Sequence, residues 1–182
     1  HPYPTRRSSD LDTHEKSGAD ITVVGVKAPM PDKIGSILCF DKVDENGRIT
    51  EMSLDRTDEG DVYHSVNIVI MKKYLLENLI TQAHSKNRIS FQKNVLMANV
   101  NDLDIRAYDA TDSFIGTVSS VQAYYDVSMK LLEYESRHKL FSKQFPVYTK
   151  ERDDMPTLYG PESTSKNSLE ADRKSTRLNS SH

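Results

Sequence analysis

The stretch Ser113–Leu132, SFIGTVSSVQAYYDVSMKLL, narrows the choice of fold more than any other part of the chain. A β-branched and aromatic run (Phe114, Ile115, Val118) passes through small residues into an amphipathic helical period. That pattern predicts a strand feeding a helix. In open α/β sheets ligands sit outside the carboxyl ends of such strands, so a phosphate- or metal-handling carboxylate is expected within Gly116–Ser120. The corner carries hydroxyls instead: Asp112 precedes the strand pattern and Asp126 lies inside the helix pattern. Hydroxyls alone neither hold a hard cation strongly nor serve as a general base.

The same alternation runs through the rest of the chain. Asp12–Gly18 reads as the last turn of a helix stopped by Gly18, and Asp20–Lys27 as a buried strand. Gly35–Val43 and Gly47–Met52 flank Asp44-Glu45-Asn46-Gly47, whose Asn-Gly step favours a tight turn, so a hairpin is expected at one side of the sheet. Tyr63–Met71 predicts a strand leading into a helix over Lys72–His84, with Leu75, Leu76, Leu79 and Ile80 on one face. Ile89–Val100 predicts another helix, N-capped by Ser90, with Phe91, Val95 and Leu96 as its apolar stripe. Asp104–Ala110 and Phe114–Val118 read as two short strands before the helix at Val121. The expected class is α/β, with helices on both faces of the sheet from about Ala19 to Leu132.

Both ends are set aside as adaptor-like. Pro4–Leu11, PTRRSSDL, and Asp172–His182, DRKSTRLNSSH, read as translated sequencing adaptors, and His1–Tyr3 is excluded with the first of them. The expected plan is adaptor-like sequence at 1–11 and 172–182, a partial domain at 12–145, an extended connector at 146–160 and the start of a second domain at 161–171. Pro146, Pro156 and the lack of any period mark the connector. The natural segment is expected to be a piece of a larger chain. Without the five basic and two acidic residues of the two ends, the net charge moves from −3 to −6. An acidic segment gives no electrostatic reason to expect nucleic acid or a membrane surface, and Arg6-Arg7 is no basic patch. No apolar stretch is long enough to span a bilayer and no secretory pattern is visible. The one cysteine, Cys39, sits in an apolar run, where it acts as a small hydrophobe rather than a reactive thiol. A reducing cytoplasm is the expected compartment.

Six blocks, in order and at their intervals, resemble one family. They are HEKSGADIT (His14–Thr22), DENGRITEM (Asp44–Met52), YHSVNIVIMKKYLLENLI (Tyr63–Ile80), SFQKNVL (Ser90–Leu96), VSSVQAYYDVSMKLL (Val118–Leu132) and PVYTKERDDMPTLYG (Pro146–Gly160). Together they resemble the glucose-1-phosphate adenylyltransferases (ADP-glucose pyrophosphorylases) of bacterial glycogen synthesis, and the last two look more like the regulatory, poorly catalytic subunit type. The resemblance implies the C-terminal half of a Rossmann-like nucleotidyltransferase domain, joined to a left-handed parallel β-helix that Lys166-Asn167-Ser168-Leu169 would begin. It also implies a hetero-tetramer with a catalytic subunit, Mg²⁺ in the family, and a reaction that joins ATP and glucose 1-phosphate into ADP-glucose and pyrophosphate.

Residue by residue, the resemblance implies an altered site. The lysine that neutralises the sugar phosphate falls on Asp55, with Arg56 next to it should the register differ by one. Two unit charges about 4 Å apart at an effective dielectric near 20 interact by roughly 4 kcal/mol, so exchanging attraction for repulsion there is costly. The metal aspartate falls on Thr117, and an aspartate of the Ser-Phe block falls on Ser90. Catalytic residues are therefore expected to be degenerate, and Mg²⁺ is not expected on this segment. Ser65 and Asn67 are placed to hydrogen-bond a hexose, against the plainer reading of a polar strand end satisfied by backbone. Tyr124 and Tyr125 are read as core and rim packing rather than a nucleotide pocket, and His64, His84 and His138 as too dispersed for a metal cluster. The exposed apolar residues of Leu140–Leu158 (Phe141, Phe145, Val147, Tyr148, Leu158) are expected to meet the partner. A regulatory subunit is the leading expectation. The alternatives are a working sugar-phosphate nucleotidyltransferase using Arg56 and a carboxylate such as Asp112, and a sugar-nucleotide binding module without catalysis.

Overall fold

Ile21–Val26 is an unbroken run of six buried residues, which a strand can hold only when both of its faces are covered. The computed structural model describes residues 9–31, 36–57, 59–141, 162 and 164. There the run lies in β1 (Ile21–Pro29), one of five strands with β2 (Leu38–Val43), β3 (Ile49–Leu54), β4 (Asp61–Met71) and β5 (Ile105–Asp109). Their order is β3-β2-β4-β1-β5, antiparallel except for the parallel pair β1–β5. The α/β expectation holds in this form, and the hairpin does lie at one side.

Alternation along β1 sorts the two faces. Ile21 and Val23 point into the main core with Leu38, Phe40, Ile49 and Ile105, against Leu79 of α2 (Lys73–Ser85) and Val95 and Leu96 of the following helical segment. Thr22 points the other way, where its hydroxyl lies 2.7 Å from Nδ1 of His14 on α1 (Ser9–Ser17); Val24 and Val26 share that side with Ala110. Helices thus cover both faces. Ile80, expected on the apolar face of α2, is 49% exposed, because Leu79 and the half-buried Leu75 supply the contact with the core. The segment expected as a regular helix begins at Phe91, winds as a π-turn over Gln92–Leu96 and tightens to 3₁₀ over Met97–Asn99, with Ile89 outside it and exposed.

The hairpin turn is the one the Asn-Gly step predicts: Gly47 takes φ +80°, and the Asp44 carboxylate accepts the Asn46 and Arg48 N–H groups. Its tip folds over to the outer margin of β5, where the Ala107 N–H donates to the Gly47 carbonyl at 2.8 Å and Arg48 bridges Arg106. This contact explains a correction. Phe114–Val118 is not a strand: among the described residues these positions pair with none, and Ile115 and Val118 are exposed. The hairpin tip occupies the outer side of β5 at Arg106 and Ala107, and Gly116 interrupts the β-branched run, so the segment following β5 is kept from pairing there and has little propensity to form a strand.

Residues from Ser120 onward form a separate unit. It holds α3 (Val121–Lys130), N-capped by the Ser120 hydroxyl accepting the Ala123 N–H at 3.0 Å, and α4 (Tyr134–Leu140). No residue of α3 is buried, and Tyr124 and Tyr125 are exposed rather than core. At the other end, Ser9–Leu11, expected to pack against nothing, make the first turn of α1, with Asp10 and Leu11 half-buried. The connector at 146–160 and, apart from Glu162 and Thr164, the stretch 161–182 lie outside the described residues.

A Cβ added at Gly25 would stand 2.4 Å from Cε2 of Phe40 and 2.9 Å from Cε2 of Tyr63, two rings packed edge to face at 5.0 Å. Gly25→Ala should therefore cost about 1–3 kcal/mol in urea unfolding at unchanged m-value. An unchanged midpoint would contradict this packing.

Candidate functional site

Across from Val24 and Gly25, the ladder between β1 and β4 skips Val66 and Asn67. Asn67 turns to φ +61°, a left-handed conformation that asparagine tolerates better than most residues, and its N–H donates to the Ser65 hydroxyl at 3.0 Å. These two residues therefore sit at a mid-strand bulge, not at a strand end. The bulge opens a cleft of about 150 Å³ lined by Pro31, Ile37, His64, Ser65, Val66, Asn67 and Thr117. Three residues read from the sequence, Ser65, Asn67 and Thr117, meet here.

Each polar group in the cleft has a defined role. The Ser65 oxygen accepts from Asn67, which leaves its own proton to donate to a ligand oxygen. His64 was not foreseen as part of the site. Its Nδ1 lies 2.9 Å from the Val62 carbonyl, which can only accept, so Nδ1 carries the proton and Nε2 of the neutral ring is an acceptor. Its place between Val62 and Val66 on one side of an alternating strand pattern is the signal that could have found it, because a ring on such a side must be satisfied locally. Donors and acceptors without net charge suit hydroxyl groups of a sugar better than a phosphate.

Asp55, Arg56 and Ser90 lie elsewhere. Asp55, at φ +53°, receives the Ile37 N–H on its carboxylate at 2.8 Å while its own N–H donates to the Ile37 carbonyl at 2.9 Å. It thus extends the hairpin by one reciprocal pair and holds Ile37, a cleft-lining residue. Arg56 pairs with Asp41 at 2.8 Å, and Asp41 also accepts from the Ser53 hydroxyl. Ser90 caps the helical segment, its hydroxyl accepting the Lys93 N–H at 3.2 Å and its N–H donating to Asn94.

A second polar cluster marks the carboxyl ends of β1 and β5. The hydrogen bond from the Thr111 hydroxyl, and then the Thr111 N–H and Lys27 at 3.3 Å, hold the Asp109 carboxyl below its ordinary range. Tyr63, with Lys27 over its ring at 5.2 Å, is pushed up to about 12 by burial and then by the Asp109 charge. Every member is committed to another member, so the cluster braces the two strand ends. Cys39 is fully buried, and burial raises its thiol. His84 is exposed, as is His138, which stacks on Tyr134. Among the described residues there is no group of three or more metal-binding side chains, and no helix is long and apolar enough to cross a membrane.

No family model matches the chain. It is 34% identical over 124 residues to the glycogen biosynthesis protein GlgD of Bacillus subtilis, covering 68% of this chain and 36% of that protein. It is 25% identical over 164 residues to the glucose-1-phosphate adenylyltransferase of Teredinibacter turnerae (82% of this chain, 39% of the relative). To the enzyme of the same name in Cutibacterium acnes it is 27% identical over 161 residues (76% and 38%). The chain thus spans less than two fifths of the length of these curated relatives.

Two substitutions test the geometry. Asp55→Ala removes the carboxylate that receives the Ile37 N–H and leaves alanine in a left-handed conformation, so unfolding should be about 1–2 kcal/mol easier. A neutral result would contradict the bracing role. For Asp109, a folded pKa below the unfolded one means stability present above the ordinary carboxylate range and lost as pH falls through it toward the folded value. Asp109→Asn should flatten that acid limb in melts taken from pH 6 downward, and an unaltered profile would dismiss the linkage.

Proposed function

The chain is a homologue of the glucose-1-phosphate adenylyltransferases and of GlgD, and on that premise we propose that it is part of a regulatory subunit of such an enzyme, acting in glycogen biosynthesis by binding a hexose phosphate or sugar nucleotide without converting it. The full-length architecture in this reading is a Rossmann-like nucleotidyltransferase domain followed by a left-handed β-helix, assembled with a catalytic subunit in the cytoplasm.

One observation carries the reading: no Asp, Glu, Lys or Arg is among the described residues that line the cleft around Thr117. Joining a nucleotide to a sugar phosphate develops charge on phosphate oxygens, which a metal ion held by carboxylates and a fixed cation must stabilise. Mg²⁺ is bound through one or two carboxylates plus substrate phosphates. The hydroxyls, amide and imidazole gathered here do not fit it. They do fit a hexose, whose hydroxyl groups can donate to Nε2 of His64 and accept from Ser65. Asp55 supports the same reading, because its carboxylate is engaged by the Ile37 amide. Phe141, half exposed just ahead of the connector, supports a partner on that side of the sequence.

The test uses the full-length protein alone. Its rate of ADP-glucose synthesis should fall at least about a hundredfold below that of a catalytic homologue assayed in parallel, the scale of losing one transition-state charge contact. Calorimetric titration with glucose 1-phosphate and with ADP-glucose should show binding of one of them, weakened about five- to tenfold by Ser65→Ala. A rate matching the catalytic homologue would establish a working nucleotidyltransferase instead, and absence of binding to both ligands would remove the sugar site.

A further inference from the structure

The buried imidazole of His64 is satisfied at one nitrogen only. β4 places it between Val26 of β1 and Cys39 of β2, whose side chains bring no oxygen to it. Nδ1 finds one in the Val62 carbonyl at 2.9 Å, whereas Nε2 has no hydrogen-bond partner among the described residues. Among those residues the one sealed side-chain nitrogen or oxygen without a partner is Nε of Arg48, so Nε2 of His64 is not sealed. The opening beside the ring is the cleft that His64 lines with Ser65, Asn67 and Thr117. A ligand seated there shuts Nε2 off from water and must itself supply the missing hydrogen bond.

The other polar groups of the cleft can adapt to what enters. The Thr117 hydroxyl rotates to donate or accept, and the Asn67 amide has both a donor and an acceptor end. Ser65 accepts the Asn67 N–H and keeps its proton for a ligand oxygen. Neutral His64 has no such latitude: with its proton held on Nδ1, Nε2 only accepts. Phosphate oxygens would bring lone pairs toward it and be repelled, whereas a sugar hydroxyl brings a proton. Size points the same way, since about 150 Å³ is well below the roughly 300–1,000 Å³ of pockets that enclose drug-sized ligands. Such a cleft has room for a sugar ring and leaves a phosphate or nucleotide outside.

We propose that His64 determines which hexose the cleft accepts, by requiring a hydroxyl that donates a hydrogen bond to Nε2. The inference rests on the sugar-binding reading and adds to it the polarity of one contact. A site built to hydrogen-bond a hydroxyl rejects the analogue that lacks it, because the site's own buried polar group is then left unpaired. Hexoses in which that hydroxyl is missing, substituted or turned to the other face of the ring are excluded. The contact to Ser65 is more forgiving, because any oxygen can accept from it.

The experiment is a calorimetric titration of the full-length protein with glucose 1-phosphate and ADP-glucose and, for whichever binds, with the series in which one hexose hydroxyl at a time is replaced by fluorine. Fluorine is close to a hydroxyl in size and accepts a weak hydrogen bond but donates none. One member of the series should bind at least about tenfold more weakly than the parent, the scale of leaving one buried acceptor unpaired. In His64→Phe, which keeps a ring without an acceptor, that member and the parent should bind within about twofold of each other. His64→Gln, whose amide can turn its NH₂ toward fluorine, should narrow the gap in the same way, and it decides the matter should His64→Phe fail to fold. A packing role alone would weaken every ligand alike and leave the ratio at its natural value, a result that would overturn the proposal. So would a natural protein that binds every fluorinated analogue within about twofold of the parent. Failure to bind either parent is a separate outcome, which removes the sugar site itself and this inference with it.

Discussion

The sheet depends on β1 being covered on both faces. Ile21 and Val23 anchor the side that receives α2 and the helical segment after it, while Thr22, Val24 and Val26 anchor the side that receives α1 and Ala110. The strand's start is clamped as well: the Asp20 and Ile21 N–H groups converge on the Asp104 carbonyl, and the Asp104 N–H returns a bond to the Asp20 carboxylate. That clamp sets the parallel register with β5, and through β5 the landing place of the hairpin tip. Because a strand's side chains alternate, a slip of one residue here would exchange the two cores.

From this anchor the bulge of β4 follows as a matter of fit. Gly25 has no side chain because Phe40 and Tyr63 occupy that space, and the bulge directly opposite lets β4 bend away after Ser65. The bend separates β4 from β2 and leaves a cleft on each side of it, both reached by Ser65 and Asn67. One backbone irregularity thus lies at both clefts. Among the described residues the polar lining of the candidate sugar cleft is a local property of Ser65, Asn67, His64 and Thr117, independent of the acidic balance of the chain as a whole.

Asp55 shows how an altered residue can be read in two ways. Set against the resemblance, it is a lysine lost and a sugar phosphate repelled. In the folded chain its carboxylate is the acceptor that completes the hairpin, in a conformation that aspartate tolerates and lysine tolerates less well. The two readings are compatible, because the bonds to Ile37 require only the Asp55 carboxylate and N–H. Ser90 behaves likewise: where the resemblance places an aspartate, a helix cap stands.

The sequence by itself determined the elements with strong local signals. The apolar run of β1, the Asn-Gly hairpin, the strand-to-helix passage from β4 to α2, the Ser90 cap and the burial of Cys39 all follow from periodicity and turn chemistry acting over a few residues. It also carried the blocks through which the relatives were recognised. Tertiary structure alone decided the rest. Phe114–Val118 has the composition of a strand, but the hairpin tip, a segment distant in sequence, occupies the outer side of β5 at Arg106 and Ala107. The bulge that gathers Ser65, Asn67, His64 and Thr117 arises from the space between Gly25 and two rings that lie far apart in sequence. Ladder edges and clefts are relations between distant segments, and no local pattern encodes which distant segment will arrive.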